Sequence, residues 1–127
     1  MKVFDWNKPT VQMLGRWQPW HEGHTALFKR AIAKTGQVVI QMRDVHAPTK
    51  DDNPFDYVEV QKHIIQSLQH EGYIVGQDYE IMLVPNIVNI TYGRDVGYVI
   101  EQEVFEESIT SVSATAIREA MRKEGKL

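Results

Sequence analysis

Two histidines three residues apart, His21 and His24, sit where a loop punctuated by glycine and proline gives way to helix-spaced apolar residues. The stretch is Gly15-Arg16-Trp17-Gln18-Pro19-Trp20-His21-Glu22-Gly23-His24. Residues at i and i+3 fall on one side of a helix's first turn, so both imidazoles can donate hydrogen bonds to the same anion. The unpaired N–H groups of that turn and the helix dipole favour negative charge there. Gly23, between the two, lets a large ligand come close to the backbone. These are the requirements of a triphosphate site. Two other readings compete. A histidine pair can hold a metal, but no third ligand stands nearby in the sequence. Exposed surface histidines are common, but the His-x-Gly-His spacing between an apolar run and a helix favours phosphate chemistry.

A second constellation lies toward the other end of the chain. Ser113, Thr115 and Arg118 put two hydroxyls and a guanidinium at the start of a predicted helix. N-capping alone accounts for the hydroxyls; with the guanidinium they also suit a phosphate. Other candidates lie between. Arg94, after Gly93, offers a planar, always-charged fork for a phosphate or carboxylate, against the alternative of a surface pair with Asp95. Lys50 is either an anion ligand or a solvated surface lysine. Asn53-Pro54 is either part of a site or a turn that starts a helix. The acidic cluster Glu101, Glu103, Glu106 and Glu107 is expected to be a solvated face.

The elements that must position these residues follow from apolar periodicity. Val11-Gln12-Met13-Leu14 predicts a short buried strand over residues 10–15. Leu27, Phe28, Ala31 and Ile32 predict a helix over 22–35, ended by Thr35-Gly36. Residues 37–43, rich in β-branched types, predict an inner strand of a parallel sheet, completing a right-handed βαβ unit. Tyr57, Val60, Ile64, Ile65 and Leu68 predict a helix over 56–71. Further strands are expected at 79–84, 87–92 and 97–105, and a final helix turns Ile117, Ala120 and Met121 inward. Ligands of open α/β sheets bind at the carboxyl ends of the strands, where the histidine loop falls. The expected fold is α/β, a Rossmann-like doubly wound parallel sheet of about five strands, in one domain over residues 1–127.

Bulk properties set the bounds. The 127 residues suffice for one core without covalent staples. A formal net charge of −3 gives no basic excess for nucleic-acid phosphates, so any phosphate binding must be local. The absence of cysteine excludes disulfides, thiolate chemistry and Cys-ligated metals. No apolar run approaches the length of a membrane span, and Met1 to Trp6 lacks the apolar core of a signal peptide. A cytoplasmic protein with no membrane and no nucleic-acid partner is the expectation.

The histidine loop resembles the HxGH signature of the nucleotidylyltransferase superfamily. The longer stretch Gly15 to His24 is similar to the G-R-F-Q-P-F-H-x-G-H of archaeal-type nicotinamide-mononucleotide adenylyltransferases, with Trp17 and Trp20 in place of the two Phe. Asn53-Pro54-Phe55 matches the N-P-F of that family and Glu59 the glutamate of its T-x-G-E-R, whereas Asp56, Val58 and Val60 depart from it. Asn86-Ile87-Val88-Asn89 is similar to the family's P-D-I-x-N, with Asn86 for Asp. Thr49 to Pro54 and Gly93-Arg94-Asp95 resemble the T-K-x-D-D-x-P and G-R-D runs of ATP sulfurylases. Ser113, Thr115 and Arg118 resemble the second signature, I-S-x-T-x-I/V-R.

The resemblance implies catalytic roles for His21, His24 and Arg118. It implies nucleotide binding by Gly15, Arg16, Trp17, Gln18, Gly23, Gly93, Arg94, Ser113 and Thr115, and acceptor binding by Lys50, Asn53 and Asn89. It implies transfer of a nucleoside monophosphate, AMP from ATP first, to a small phosphorylated acceptor such as nicotinamide mononucleotide. Mg²⁺ would bridge the phosphates without a protein metal site, and a homo-oligomer is compatible with it. Sulfate, pantetheine phosphate, or a sugar or polyol phosphate used with CTP are alternative acceptors. The rival from another class is a non-catalytic nucleotide-binding regulatory module on the same fold. The chain is shorter than archaeal-type relatives, and the helix they place between strands four and five is missing or reduced around residues 93–97.

Overall fold

The computed structural model describes residues 2–45, 53–94, 97–103 and 114–125. The elements are β1 (Val11–Gly15), α1 (Glu22–Thr35), β2 (Val38–Arg43), α2 (Tyr57–His70), β3 (Tyr79–Val84) and α3 (Ala114–Lys123). The strands form one parallel sheet in the order β1–β2–β3. Parallel neighbours joined through a helix, each stepping the same way, make the α/β architecture of a Rossmann-like sheet.

Burial alternates along β2. Val38, Ile40 and Met42 are buried, while Val39, Gln41 and Arg43 are half-buried. The register sets Val11 and Met13 beside Val38 and Ile40, with Tyr79 and Ile81 on the other side. Side chains alternate across a strand, so these residues share one face. They pack with Phe28 and Ala31 of α1 and with Val60, Ile64 and Leu68 of α2. Burying a large apolar side chain contributes about 1.5–3 kcal/mol, so this cluster dominates the cohesion of the fold. The opposite face carries Gln12, Gln41 and Glu80, and Gln12 hydrogen-bonds Gln41 across it.

The helix ends are built from their own sequence. Gly36 closes α1 in the left-handed region (φ 89°), donating to the Ile32 carbonyl at 2.7 Å. Asp56 and Glu59 cap α2 reciprocally, at 2.9 and 3.3 Å, which gives Glu59 a structural task. At the amino edge of the sheet, Phe4 is buried and Trp6 exposed. No described helix is long and apolar enough to cross a membrane.

The two further strands differ from expectation: neither 87–92 nor 97–103 forms one. Only Pro85 and Asn86 separate the first stretch from β3. A parallel neighbour needs a crossover of about a dozen residues, so a chain leaving the carboxyl end of β3 cannot rejoin the sheet that soon as the parallel strand expected. Val88, 85% exposed, Ile90 and Tyr92 face solvent instead. Residues 97–103 lean on α1 through their acids: Lys34 pairs with Glu101 and Glu103, and Arg30 with Glu103. Those two acids lie on a solvated face, as expected, and are ion-paired there; Glu106 and Glu107 lie outside the described residues.

Candidate functional site

The connection from β1 to α1 is held from several directions. Trp17 adopts a left-handed backbone (φ 54°), uncommon for a residue with a side chain. Its indole Nε1 donates to the Gln41 carbonyl at 3.1 Å, and its ring covers Gly15 so closely that a Cβ there would stand 2.8 Å from it. Gln18 is buried and precedes a cis bond to Pro19. Its amide donates to the Phe55 carbonyl and accepts from the Phe55 N–H, each at 2.9 Å. Trp20 Nε1 donates to Thr25 Oγ1 at 2.9 Å. Arg118, 2% exposed, donates from Nη1 to the Gln18 carbonyl.

This frame presents the two histidines as the cap of α1. The His21 imidazole Nδ1 accepts from the Gly23 N–H at 3.0 Å, and the His24 Nδ1 accepts from the His21 N–H at 3.1 Å. An Nδ1 that accepts carries no proton, so each neutral ring bears its hydrogen on Nε2. The rings stack at 3.7 Å with 22° between their planes. The edge of Trp17 meets His24 at 4.8 Å, and Trp20 stands 5.4 Å from it. Burial lowers the His21 pKa from its ordinary value, against an opposing pull from Glu22. Burial lowers His24 further, to about 3, and the facing His21 ring adds to the effect. The pair is therefore neutral near pH 7, with two Nε2–H donors that meet no partner among the described residues.

One expectation is corrected here. Most of the first turn of α1 is not offered to an anion: Gly23 is capped by His21, and the N–H groups of His24 and Thr25 reach the His21 carbonyl, which leaves the Glu22 N–H without a partner among the described residues. The imidazoles have taken the His21 and Gly23 N–H groups and present their own in exchange.

Of the other sequence candidates, Arg16 and Asn53 come together, Nη1 to Oδ1 at 3.3 Å. Arg118 reaches the loop from a hundred residues away, as a buried brace rather than an exposed ligand. Gly93 and Arg94 are exposed on the irregular stretch after β3, with open space where a Gly93 Cβ would stand, and no described contact joins Arg94 to the loop. Asn89 is exposed and hydrogen-bonded to Thr91. Lys50 and Ser113 lie outside the described residues; Thr115 falls in the first turn of α3, its side chain outside them. Among the described residues no three His, Asp or Glu side chains cluster as metal ligands.

Two hollows differ in position. A shallow one of about 430 Å³ lies along Lys2–Lys8, at the amino edge of the sheet where Phe4 bonds Gly76. A narrow cleft lies at the carboxyl ends of the strands, lined among others by Arg16, Gln18, Met42, Arg43, Asp44 and Phe55. Open α/β sheets use the second edge. Arg43 is absent from the sequence candidates; its signal was its place as the last residue of β2. Gln41 and Thr25, which fix the two tryptophans, carry no sequence signal at all.

The chain is thus an α/β protein with a parallel sheet and a neutral imidazole pair at the carboxyl edge of that sheet. No protein-family model matches the sequence. Over 104 residues the chain is 27% identical to the nicotinamide-nucleotide adenylyltransferase of Methanococcus aeolicus, a match covering 75% of this chain and 60% of that protein. The chain thus spans about three-fifths of that relative's length. The likeness is a distant one, to a protein named as an adenylyltransferase.

Proposed function

We propose that this chain is a nucleotidyltransferase that moves a nucleoside monophosphate, AMP from ATP in the first instance, onto an anionic oxygen of a small phosphorylated acceptor. The observation that carries the reading is the stacked, neutral His21–His24 pair with both Nε2–H groups uncommitted among the described residues. Fixed neutral donors suit a triphosphate whose charge shifts during reaction, because they need no reorganisation when the charge moves.

In the reaction an acceptor oxygen attacks the α-phosphorus in line, that P–O bond forms, and the bond to the β-phosphate bridging oxygen breaks to release pyrophosphate. A phosphate acceptor is already a nucleophile at pH 7, so no general base is required. His21 and His24 donate to oxygens of the reacting phosphates. Arg16 lies at the same loop and adds a permanent charge. Arg118 acts through the loop, holding the Gln18 carbonyl, and Ser113 and Thr115 are proposed for the leaving pyrophosphate. Mg²⁺ arrives with the triphosphate as part of the substrate, coordinated chiefly by phosphate oxygens and water. The relative's name makes nicotinamide mononucleotide the first acceptor to try.

The test is pyrophosphate release with Mg²⁺ and either ATP or CTP against phosphorylated acceptors and sulfate. His24→Ala is expected to cut turnover about 100-fold or more, the usual cost of losing one such donor. Nucleotide binding without release in any combination would favour a binding module, and unchanged turnover in the variant would remove the histidines from the chemistry.

A further inference from the structure

Three aromatic rings enclose His24, and two of them carry a polar atom where the signature that the loop resembles has none. In place of that signature's two Phe this chain has Trp17 and Trp20. Both indoles are buried. An indole N–H can only donate, and a buried one needs a partner. Each finds one: Trp17 Nε1 the Gln41 carbonyl of β2 at 3.1 Å, and Trp20 Nε1 the Thr25 hydroxyl of α1 at 2.9 Å. The two indoles also touch each other, with centroids 5.0 Å apart and 54° between their planes. A phenyl ring in either place has no polar atom to fix its orientation.

What these bonds hold is the wall around the His24 ring. Trp17 meets it at 4.8 Å and 81°, Trp20 at 5.4 Å and 52°, and His21 stacks on it at 3.7 Å. Among the described residues the ring's own polar tie is a single bond, Nδ1 accepting from the His21 N–H at 3.1 Å. One bond does not stop an imidazole from turning about its Cβ–Cγ axis, a torsion with two broad wells. A half-turn would bring Cδ2 to that N–H and carry Nε2 elsewhere. The two indoles oppose the turn, and each is fastened to something rigid. Thr25 is buried and follows His24 in the first turn of α1, so the Trp20 bond ties the loop to the turn that carries the histidine. Gln41 lies in the central strand, so the Trp17 bond ties the loop to the sheet.

We propose that Trp17 and Trp20 are positioning residues, that their N–H bonds to the Gln41 carbonyl and the Thr25 hydroxyl lock the His24 imidazole in one orientation, and that Thr25 acts on the site through Trp20. The use of that orientation for a reacting phosphate rests on the function proposed above. The lock itself does not.

Hydrogen exchange of the full chain, followed by NMR, reads the lock without any substrate. Three indole N–H signals are expected. Those of Trp17 and Trp20 should exchange slowly and that of Trp6, 70% exposed, fast. The reporter of the His24 ring is the His21 amide, because His24 Nδ1 is its acceptor. Trp17→Phe, Trp20→Phe and Thr25→Val should each speed exchange of that amide about 10-fold relative to the amides of β2, the usual scale of one lost buried bond. Trp20→Phe combined with Thr25→Val should do no more than either alone, since both remove the same bond. Leu68→Val is the control: it disturbs the core near the end of α2 remote from Phe55 and the loop, and should not speed His21 beyond β2. If the chain transfers nucleotides, Trp20→Phe should also lower kcat about 10- to 100-fold, with KM for ATP within about twofold.

Fast exchange at all three indoles in the wild type overturns the proposal. So does a His21 amide that stays unchanged in the three variants, or that speeds up only in step with β2, as a merely structural role would have it. Unchanged kcat in an active chain whose His21 amide has been selectively freed overturns the positioning role. Selective loss of protection in a chain that releases no pyrophosphate from any substrate pair upholds the lock and counts against the nucleotidyltransferase reading instead.

Discussion

Two irregular stretches leave the same edge of the sheet, and they are built in opposite ways. The one after β1, residues 16–21, has both tryptophan N–H groups, the Gln18 amide and the Gln18 carbonyl bonded to fixed partners. The one after β3, residues 85–94, exposes Val88, Ile90 and Tyr92 and has few anchors beyond Asn86 on Arg43 and the Ile87 N–H on the Pro85 carbonyl. What separates them is whether the side chains find fixed groups to bind, here the Gln41 carbonyl of β2, the Phe55 backbone ahead of α2 and the Thr25 hydroxyl of α1. A site that must hold two imidazoles in one tautomer needs the first kind of loop, because a rotation of either ring would point its donor elsewhere.

Substitutions can sharpen that contrast. Gln18→Ala should give the largest loss of stability, since it strands a buried N–H and a buried carbonyl of Phe55. At about 1–3 kcal/mol for each unsatisfied group, the midpoint of thermal unfolding should drop by ten degrees or more, and urea unfolding would check it. A Gln18→Glu variant should fare little better, because a carboxylate cannot donate to the Phe55 carbonyl. At the other extreme, Val88→Ser should change stability by less than about 0.5 kcal/mol, the usual range for an exposed position. A large loss there would mean that the stretch after β3 is covered in solution.

The sequence disclosed these two stretches unequally. The strand–loop–helix at residues 11–35 was legible because its signals are local: an apolar run, a glycine, then helix periodicity closed by Gly36. The histidine pair was legible for the same reason, and Asn53 through its place before α2. Residues 87–92 look like a strand by the same apolar signal, but their pairing depends on the direction in which β3 delivers the chain, which a window of residues does not contain. The histidines' tautomer was also hidden. Their spacing suggested an anion at the backbone of the first turn, and only the fold shows the Nδ1 atoms occupying the His21 and Gly23 N–H groups. Arg118 was found as a guanidinium, yet its burial against Gln18 is a long-range contact with no local sequence mark.

The central claim is that His21 and His24 are neutral, Nε2-protonated donors, and nitrogen-15 NMR of the imidazoles across pH tests it directly. His24 is predicted to keep its proton on Nε2 with a bare Nδ1 from pH 7.5 down to about 4, and to take a second proton only toward pH 3. An unfolded histidine takes that proton near pH 6.5, so it is the unfolded state that gains from acidification. Stability is then complete above pH 6.5 and falls as pH drops from there toward 3, by up to about 1.4 kcal/mol per pH unit for the single proton. His24→Ala should flatten that slope. A His24 that carries its proton on Nδ1 at neutral pH would contradict the account and leave the proposed phosphate site without that donor, and one that titrates near 6.5 would contradict the burial that keeps it neutral.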